Sequence, residues 1–235
     1  GGAVWLSIDT SHKMFVNDFS EELINLYNNI KTENKLFYTF INSFNNLWLL
    51  FNKIIKDEEH LLVSGYKEYK INRDTSTLKS CIELIMSKHK EELSNHIEEL
   101  QLNSMKDYFS ISKIINNIQL KLIKLTKTED KRGSLPESDY ILNIATIFKN
   151  ALYLELRALY NKAVLDKTYD KGLKAAIYYL IRDLCYSGMF RYNSKGEFNV
   201  PYGGMSYNQK NYNTKIKLMQ NSLLLNHLNN SIINN

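Results

Sequence analysis

Along most of the chain, apolar residues recur every three or four positions, the period of an amphipathic helix. From about Lys35 to Ile181 the pattern predicts helix almost throughout, with Ile82, Ile85, Met86 and Ile141, Ile144, Ile147 as clear instances. Charged groups such as Lys88, Lys90, Glu91 and Glu92 fall between the apolar positions and predict solvated faces. Residues 56–130 therefore read as a solvated helical insertion. Loops are predicted near residues 71–75 and across 127–138, where Gly133 and Pro136 fall. The most apolar stretch, residues 36–55, is interrupted by Asn42, Asn45, Asn46, Asn52 and Lys53. It is too polar to span a membrane and predicts a buried or amphipathic helix.

Two segments leave the helical period. In the first, Gly1-Gly2 precedes the apolar run Ala3-Val4-Trp5-Leu6, which predicts a helix after a glycine turn. Lys13 to Asp18 then predicts a strand ending in a polar pair. Ser20 can cap the helix that follows, which carries Leu23, Ile24, Tyr27 and Ile30 on one face. In the second, Phe190-Arg191-Tyr192 and Glu197-Phe198-Asn199-Val200 flank Asn193-Ser194-Lys195-Gly196. The latter is a good turn, and the flanks predict a short β-hairpin that Pro201 ends.

Composition narrows the picture. Of 235 residues, 44% are hydrophobic and 23% charged, a folded composition with room for one large domain or two small ones. The net charge of +5 is unevenly spread. Residues 1–170 carry 22 basic and 23 acidic side chains, and residues 171–235 carry 8 and 2. The surplus lies at the carboxy end, as expected if that end meets an anion. Two cysteines, Cys81 and Cys185, exclude a disulfide framework and a cysteine zinc site. The five histidines lack metal-ligand spacing. No secretory signal is visible, so a cytoplasmic, reducing compartment is expected.

Chemistry concentrates at the two irregular segments. A glycine turn, a helix, a strand and an acid at the strand's end suit a nucleotide, because glycine admits the ligand to the backbone and Asp18 can accept from ribose hydroxyls. The other reading of Asp18 is a helix cap. Between Tyr186 and Tyr212 lie seven aromatics, and four of the nine glycines fall there. A hairpin carrying Arg, Asn and aromatics suits a DNA groove, with Lys195, Lys210, Lys215 and Lys217 available for phosphates. The other reading is an ordinary surface hairpin with its aromatic underside packed on the preceding helix.

The run Arg191-Tyr192-Asn193, then Gly196-Glu197-Phe198-Asn199-Val200-Pro201-Tyr202-Gly203, closely resembles the R-[YF]-N-x-x-G-E-F-N-V-P-[FY]-G signature of the Dam-like adenine-specific DNA methyltransferases. Tyr186-Ser187-Gly188-Met189 resembles that family's aromatic-[N/S]-G-[L/M] turn. Gly1-Gly2-Ala3-Val4 looks like the end of its F-x-G-x-G cofactor loop, and residues 15–27 look like the next strand and helix. The resemblance is strong over residues 1–30 and 177–207 and only general between them.

The resemblance implies an α/β fold: a partial Rossmann-like S-adenosylmethionine-dependent methyltransferase domain with a large, mostly α-helical target-recognition domain carrying a β-hairpin. Residues 1–33 would belong to the cofactor-binding domain and 34–213 to the recognition domain, with its hairpin at 190–201. Residues 214–235 would be a helix returning to the catalytic domain. Gly1, Gly2 and Asp18 would bind S-adenosylmethionine. Tyr186 and Ser187 would sit where the base stack is invaded, with Met189 and Arg191 at base edges. Pro201 and Tyr202 would shape the approach of the hairpin, while Lys195 and Lys210 meet phosphates. Asn193 either reads a base or braces the hairpin, as does Asn199, and Glu197 is structural. The reaction implied is methyl transfer to the exocyclic amine of adenine in a short duplex DNA site, within a restriction-modification system that pairs the protein with a cognate endonuclease.

The departures are specific. The family's catalytic D-P-P-Y needs adjacent prolines, and neither Pro136 nor Pro201 has a proline neighbour. A W-x-G-G-K-like segment is also missing. No catalytic residue or metal ligand is therefore assigned, and an internal fragment or split half, acting as a monomer on double-stranded DNA and not on a membrane, is expected. The competing readings are a DNA-binding module that has lost catalysis and a helical interaction protein with no nucleic-acid role.

Overall fold

A computed structural model describes residues 13–100, 108–166 and 168–234. The expected cofactor loop at Gly1 and Gly2, and the helix after it, lie outside the described residues. The strand predicted from Lys13 to Asp18 is β1 (Met14–Asn17), and the capped helix after it is α1 (Glu21–Lys31). Ser20 Oγ accepts from Leu23 N at 3.2 Å, satisfying an amide that the first turn leaves unpaired. Glu21 and Glu22 in the first turn and Lys31 in the last complement the helix dipole.

The long helical stretch is α2 (Lys35–Asp57), α3 (Glu59–Asn72), α4 (Thr75–Lys88), α5 (Lys90–Leu100), α6 (Ile111–Arg132), α7 (Glu137–Leu165) and α8 (Lys171–Leu184). Helix α2 forms the central rod of the core. Phe37, Ile41, Phe44, Trp48, Phe51 and Ile54 lie along it with no exposed surface. Such a row, at helical spacing, is what the apolar run at 36–55 predicted. Asn45 interrupts the row but is fully used. Its Oδ1 accepts from Tyr212 N at 2.8 Å and its Nδ2 donates to Asn213 Oδ1 at 2.9 Å, so this buried amide pins a distant part of the chain.

Both predicted loops are narrower than the sequence suggests. The first is only Arg73 and Asp74, the latter capping α4 through Ser76 N at 2.9 Å. The second runs from Gly133 to Pro136, because α6 continues to Arg132. The extra turn is held by Glu129, whose buried carboxylate accepts from Lys70 Nζ at 2.6 Å, from the Tyr66 hydroxyl and from Leu135 N at 2.9 Å.

The carboxy end departs from the single returning helix. It forms α9 (Tyr212–Met219), α10 (Ser222–Asn229) and β2 (Ser231–Asn234). Asn211 and Asn221 cap the two helices, so asparagine side chains divide one helical pattern into two. The last residues are a strand because Ile232 and Ile233 are β-branched and find an open edge. They pair in parallel with β1, Phe15 opposite Ile232 and Val16 opposite Ile233. Lys31 Nζ donates to Ser231 O at 2.8 Å and ties α1 to the new strand. Among the described residues the sheet has these two strands only. The architecture observed is a mostly helical body on a two-stranded parallel sheet, with ten helices described. No helix among the described residues is long and apolar enough to cross a membrane.

Candidate nucleic-acid interface

Helix α8 ends at Leu184, and the chain from Cys185 to Gly203 folds out and back as a finger. Its arms meet at two isolated antiparallel bridges, Cys185 with Tyr202 at the root and Tyr192 with Phe198 near the tip. At the root, Tyr186 N donates to Pro201 O and Gly203 N to Leu184 O, both at 2.9 Å. Near the tip, Asn193 N donates to Glu197 O at 2.8 Å and Asn199 N to Arg191 O at 3.1 Å. The predicted hairpin is therefore present, but without a continuous ladder. The physical reason is Asn161 on α7, whose side-chain amide takes the place of a neighbouring strand. Its Oδ1 accepts from Phe198 N at 2.8 Å and its Nδ2 donates to Phe198 O at 3.2 Å.

The inner face of the finger belongs to the core. Phe198 and Val200 are each 1% exposed. Phe198 packs against Phe190 and Tyr160, with ring centroids 5.1 and 5.4 Å apart. Phe190 lies 5.2 Å from Tyr178 on α8. Tyr153 donates its hydroxyl to Val200 O at 2.8 Å, and Tyr160 and Tyr192 hydroxyls meet at 3.1 Å. Burial drives the Tyr153 and Tyr160 phenols well above their ordinary pKa, so they stay protonated and serve as fixed hydrogen-bonding groups. Tyr202 also faces inward, donating to Asn208 Oδ1 at 3.0 Å beside Trp48 and Tyr153. Cys185 is buried, and burial raises its thiol to about 11, which keeps it unreactive.

The outer face is different. Tyr186 is 53% exposed, Met189 48% and Tyr192 44%; Ser187, Arg191, Lys195 and Pro201 are exposed as well. Arg191 Nε donates to Asn199 Oδ1 at 2.9 Å. That bond holds the guanidinium, while its two Nη groups have no partner among the described residues. The tip turn is closed by Asn193, whose Oδ1 accepts from Lys195 N and Glu197 N, both at 2.9 Å. Gly196 takes φ of 75° there, the conformation the turn requires. Glu197 accepts from Asn193 Nδ2 at 2.9 Å. The hydrogen bonds of Asn193, Asn199 and Glu197 are thus those of bracing groups. On the other arm, Ser187 has φ of 55° and Gly188 φ of 62°. A left-handed serine costs roughly 1 kcal/mol, and here it turns the exposed Tyr186-to-Met189 segment outward from the end of α8.

Lys210 and Lys215 occupy a different setting from the phosphate-facing one expected of them. Both ammonium groups bind Asp183, Lys210 at 2.8 Å from its carboxylate, and Lys210 also donates to Asp183 O. The Tyr212 hydroxyl donates to the same carboxylate at 3.0 Å. Burial opposes ionisation of Asp183, but the two lysines outweigh it and hold its pKa below the usual range. Part of the terminal positive charge is therefore spent joining α8 to α9.

On the sheet side, Asp18 follows the carboxyl end of β1. Its Oδ1 accepts from Ser20 N at 2.9 Å, and its other oxygen has no partner among the described residues. Tyr27 on α1 feels the charges of both this carboxylate and Arg182 of α8. Burial raises its phenol pKa, the Arg182 charge opposes the rise and Asp18 adds to it. Helix α1, which follows the strand, packs against α8, which leads into the finger. A half-buried carboxylate with a free oxygen at the carboxyl end of a parallel strand fits the ribose hydroxyls of a nucleoside cofactor.

Sequence reading missed Tyr153, Tyr160, Asn161 and Asp183. The first three recur seven and eight residues apart on one face of α7, a stripe of hydrogen-bonding side chains that meets the finger. Asp183 is one of only two acids after residue 170. Among the described residues no cluster of metal-ligating side chains is present.

Comparison with known proteins shows the family of the chain. Residues 1–234 match the family model described as D12 class N6 adenine-specific DNA methyltransferase. The chain is 30% identical over 118 residues to the type II methyltransferase M.MjaIII of Methanocaldococcus jannaschii, a match covering 48% of this chain and 37% of that protein. It is 32% identical over 95 residues to the DNA N-6-adenine-methyltransferase of Escherichia phage P1, covering 38% of this chain and 11% of that protein. The chain thus spans well under two thirds of either relative. No solved structure matches. The chain belongs to the D12 class of N6 adenine-specific DNA methyltransferases.

Proposed function

We propose that this chain supplies the target-recognition body and part of the cofactor-binding scaffold of a site-specific DNA adenine methyltransferase. Residues 34–213 form the recognition domain, and the segments around β1, α1 and β2 belong to the cofactor side. The observation that carries the reading is the finger, anchored by Phe198 and Asn161 and presenting a guanidinium already held in place by Asn199. A fixed fork loses little freedom on docking and suits the paired acceptors of guanine. Tyr186, Ser187 and Met189 form the strained, outward-facing turn that meets the base stack, and Lys195 at the tip neutralises a phosphate.

S-adenosylmethionine supplies an activated methyl group for the exocyclic amine of adenine. Asp18 would accept hydrogen bonds from its ribose hydroxyls through the oxygen that Ser20 leaves free. The target amine lies inside the duplex, so the adenine is flipped out at a cost of a few kcal/mol, least where stacking is already disturbed. Tyr186 and Ser187 lower that cost by occupying the invaded step, and Met189 contacts a base edge beside it. Because one relative is named a type II methyltransferase, a cognate restriction endonuclease is the partner expected in the cell.

The test is expression of the complete reading frame with a randomised duplex library and S-adenosylmethionine. Methylated adenine within one short site is the expected result, with Arg191→Ala relaxing one position of that site. Unchanged site preference in Arg191→Ala overturns the base-reading role. Duplex binding without methyl transfer favours a recognition module that has lost catalysis.

A further inference from the structure

The finger borders a groove of about 690 Å³ whose other walls are α6 and α7. Asn117 comes from α6, Arg157 and Asn161 from α7, and Asn193 and Asn199 from the finger. The side chain that orients Arg191 is therefore also a wall of this groove. On α6, Lys121 and Lys124 follow Asn117 by four and seven residues, so they continue the helix face that Asn117 turns to the groove. Lys121 is half-buried and Lys124 exposed, three residues apart on neighbouring positions of the helix surface. Arg157 is half-buried and donates from one Nη to Val200 O at 3.4 Å, at the root of the finger.

These cations repel one another. The pKa of Lys121 is depressed first by burial and then by the charges of Lys124 and Arg157. None of the three has a carboxylate within ion-pair distance among the described residues. The two acids of the groove are engaged elsewhere. Glu155 accepts from Phe109 N at 3.2 Å and Asn117 Nδ2 at 3.3 Å, and Glu197 accepts from Asn193. The contrast with Lys210 and Lys215, both neutralised by Asp183, is direct. Like charges held together without a counterion raise the energy of the free protein, and an anion placed among them lowers it.

We propose that Lys121, Lys124 and Arg157 grip backbone phosphates of the duplex that flanks the site read by the finger. The inference rests on the finger being the base-reading element. A duplex engaged by Arg191 continues past the finger's flank, and the groove beside that flank is where uncompensated positive charge is gathered. Arg157 matches a phosphate with its planar fork, and the lysines act as point charges. These contacts carry no base information. They lengthen the protein's track on DNA and set its register.

The experiment measures binding of the full chain to duplexes carrying the site found in the library assay. One set has flanks of about ten base pairs, roughly one helical turn, and the other has none. Wild type is compared with Lys121→Gln/Lys124→Gln, a surface pair whose folding is checked by thermal melting. On flanked duplexes the double variant loses about two units from the slope of log affinity against log salt, with site preference unchanged. On unflanked duplexes it matches wild type. An unchanged slope on flanked DNA, while Arg191→Ala still alters preference, overturns the phosphate track and leaves the finger's role standing. Absence of duplex binding by wild type overturns both.

Discussion

The polar network under α6 and the outer face of the finger use the same residue types and do opposite things with them. In the network, Tyr66, Lys70, Thr126, Glu129 and Tyr140 close on one another. Lys70 Nζ donates to Glu129 and to the Tyr140 hydroxyl at 2.9 Å, and Thr126 donates to the Tyr66 hydroxyl at 3.1 Å. Little donor capacity is left to offer a ligand, and the cluster joins α3, α6 and α7. On the finger, Tyr186 and the Arg191 Nη groups are held by their roots and left open at their ends. A satisfied polar group specifies a fold, whereas a braced but open one is prepared for a partner. Sequence composition does not separate the two cases, because both are rich in Tyr and Lys.

The comparison breaks first at Glu129. Glu129→Ala leaves Lys70 and Tyr66 without their buried partner and costs about 3–5 kcal/mol of stability by denaturant unfolding. Burial opposes ionisation of Glu129, but the bonds from Lys70, Tyr66 and Leu135 N prevail and depress its pKa below the ordinary 4.5. A carboxyl depressed in the folded state stabilises fully above its unfolded value and loses that contribution as pH falls through the folded value. The gap between wild type and variant therefore closes in acid, below pH 4.5.

Beneath the finger, Lys149 supplies the converse case. It is fully buried, with its ammonium on Trp48 O and over the Trp48 ring at 4.2 Å. Burial pushes its pKa well below 10.5. The folded protein holds this proton less tightly than the unfolded chain does, so Lys149→Met stabilises by about 1–4 kcal/mol at pH 7. That gain shrinks as pH rises toward 10.5; as with Glu129, the wild type gains stability relative to the variant as pH rises, because both groups hold their protons less tightly folded than unfolded.

Asn161 tests the inner face of the finger. Asn161→Leu strands the Phe198 N–H and C=O, costs about 1–3 kcal/mol and loosens the tip, seen as faster amide exchange at Phe198 and Asn199. The smallest effect on the fold comes from the open face. Arg191→Ala shifts stability by at most about 0.5 kcal/mol but removes about 1–3 kcal/mol of discrimination at one base pair, measured by competition between single-base variants of the site. A large stability loss in that variant instead places Arg191 with the closed network.

Much of the architecture was legible in the order of residues. Ser20 announced α1, the apolar row from Phe37 to Ile54 announced a buried rod, and Gly196 after Asn193 announced the tip turn. These are local rules of capping, period and φ, and they act over a few neighbours. The resemblance at Arg191–Gly203 likewise sits in one contiguous stretch. The strand at Ile232 and Ile233 was not legible, because a parallel pairing with β1 across more than 200 residues depends on an edge that no local pattern reveals.

The sequence by itself determined the helical body, the turn of the finger and its family, since each depends on neighbouring residues. Only the tertiary structure decided which charges remain available. Lys210 and Lys215 are drawn to Asp183 from 27 and 32 residues away, while Arg191 is steadied by Asn199 and left open. Charge is written into every lysine and arginine, but its availability depends on whether folding brings an acid within reach. The strength of that interaction falls with distance and with exposure to water, and both are set by packing.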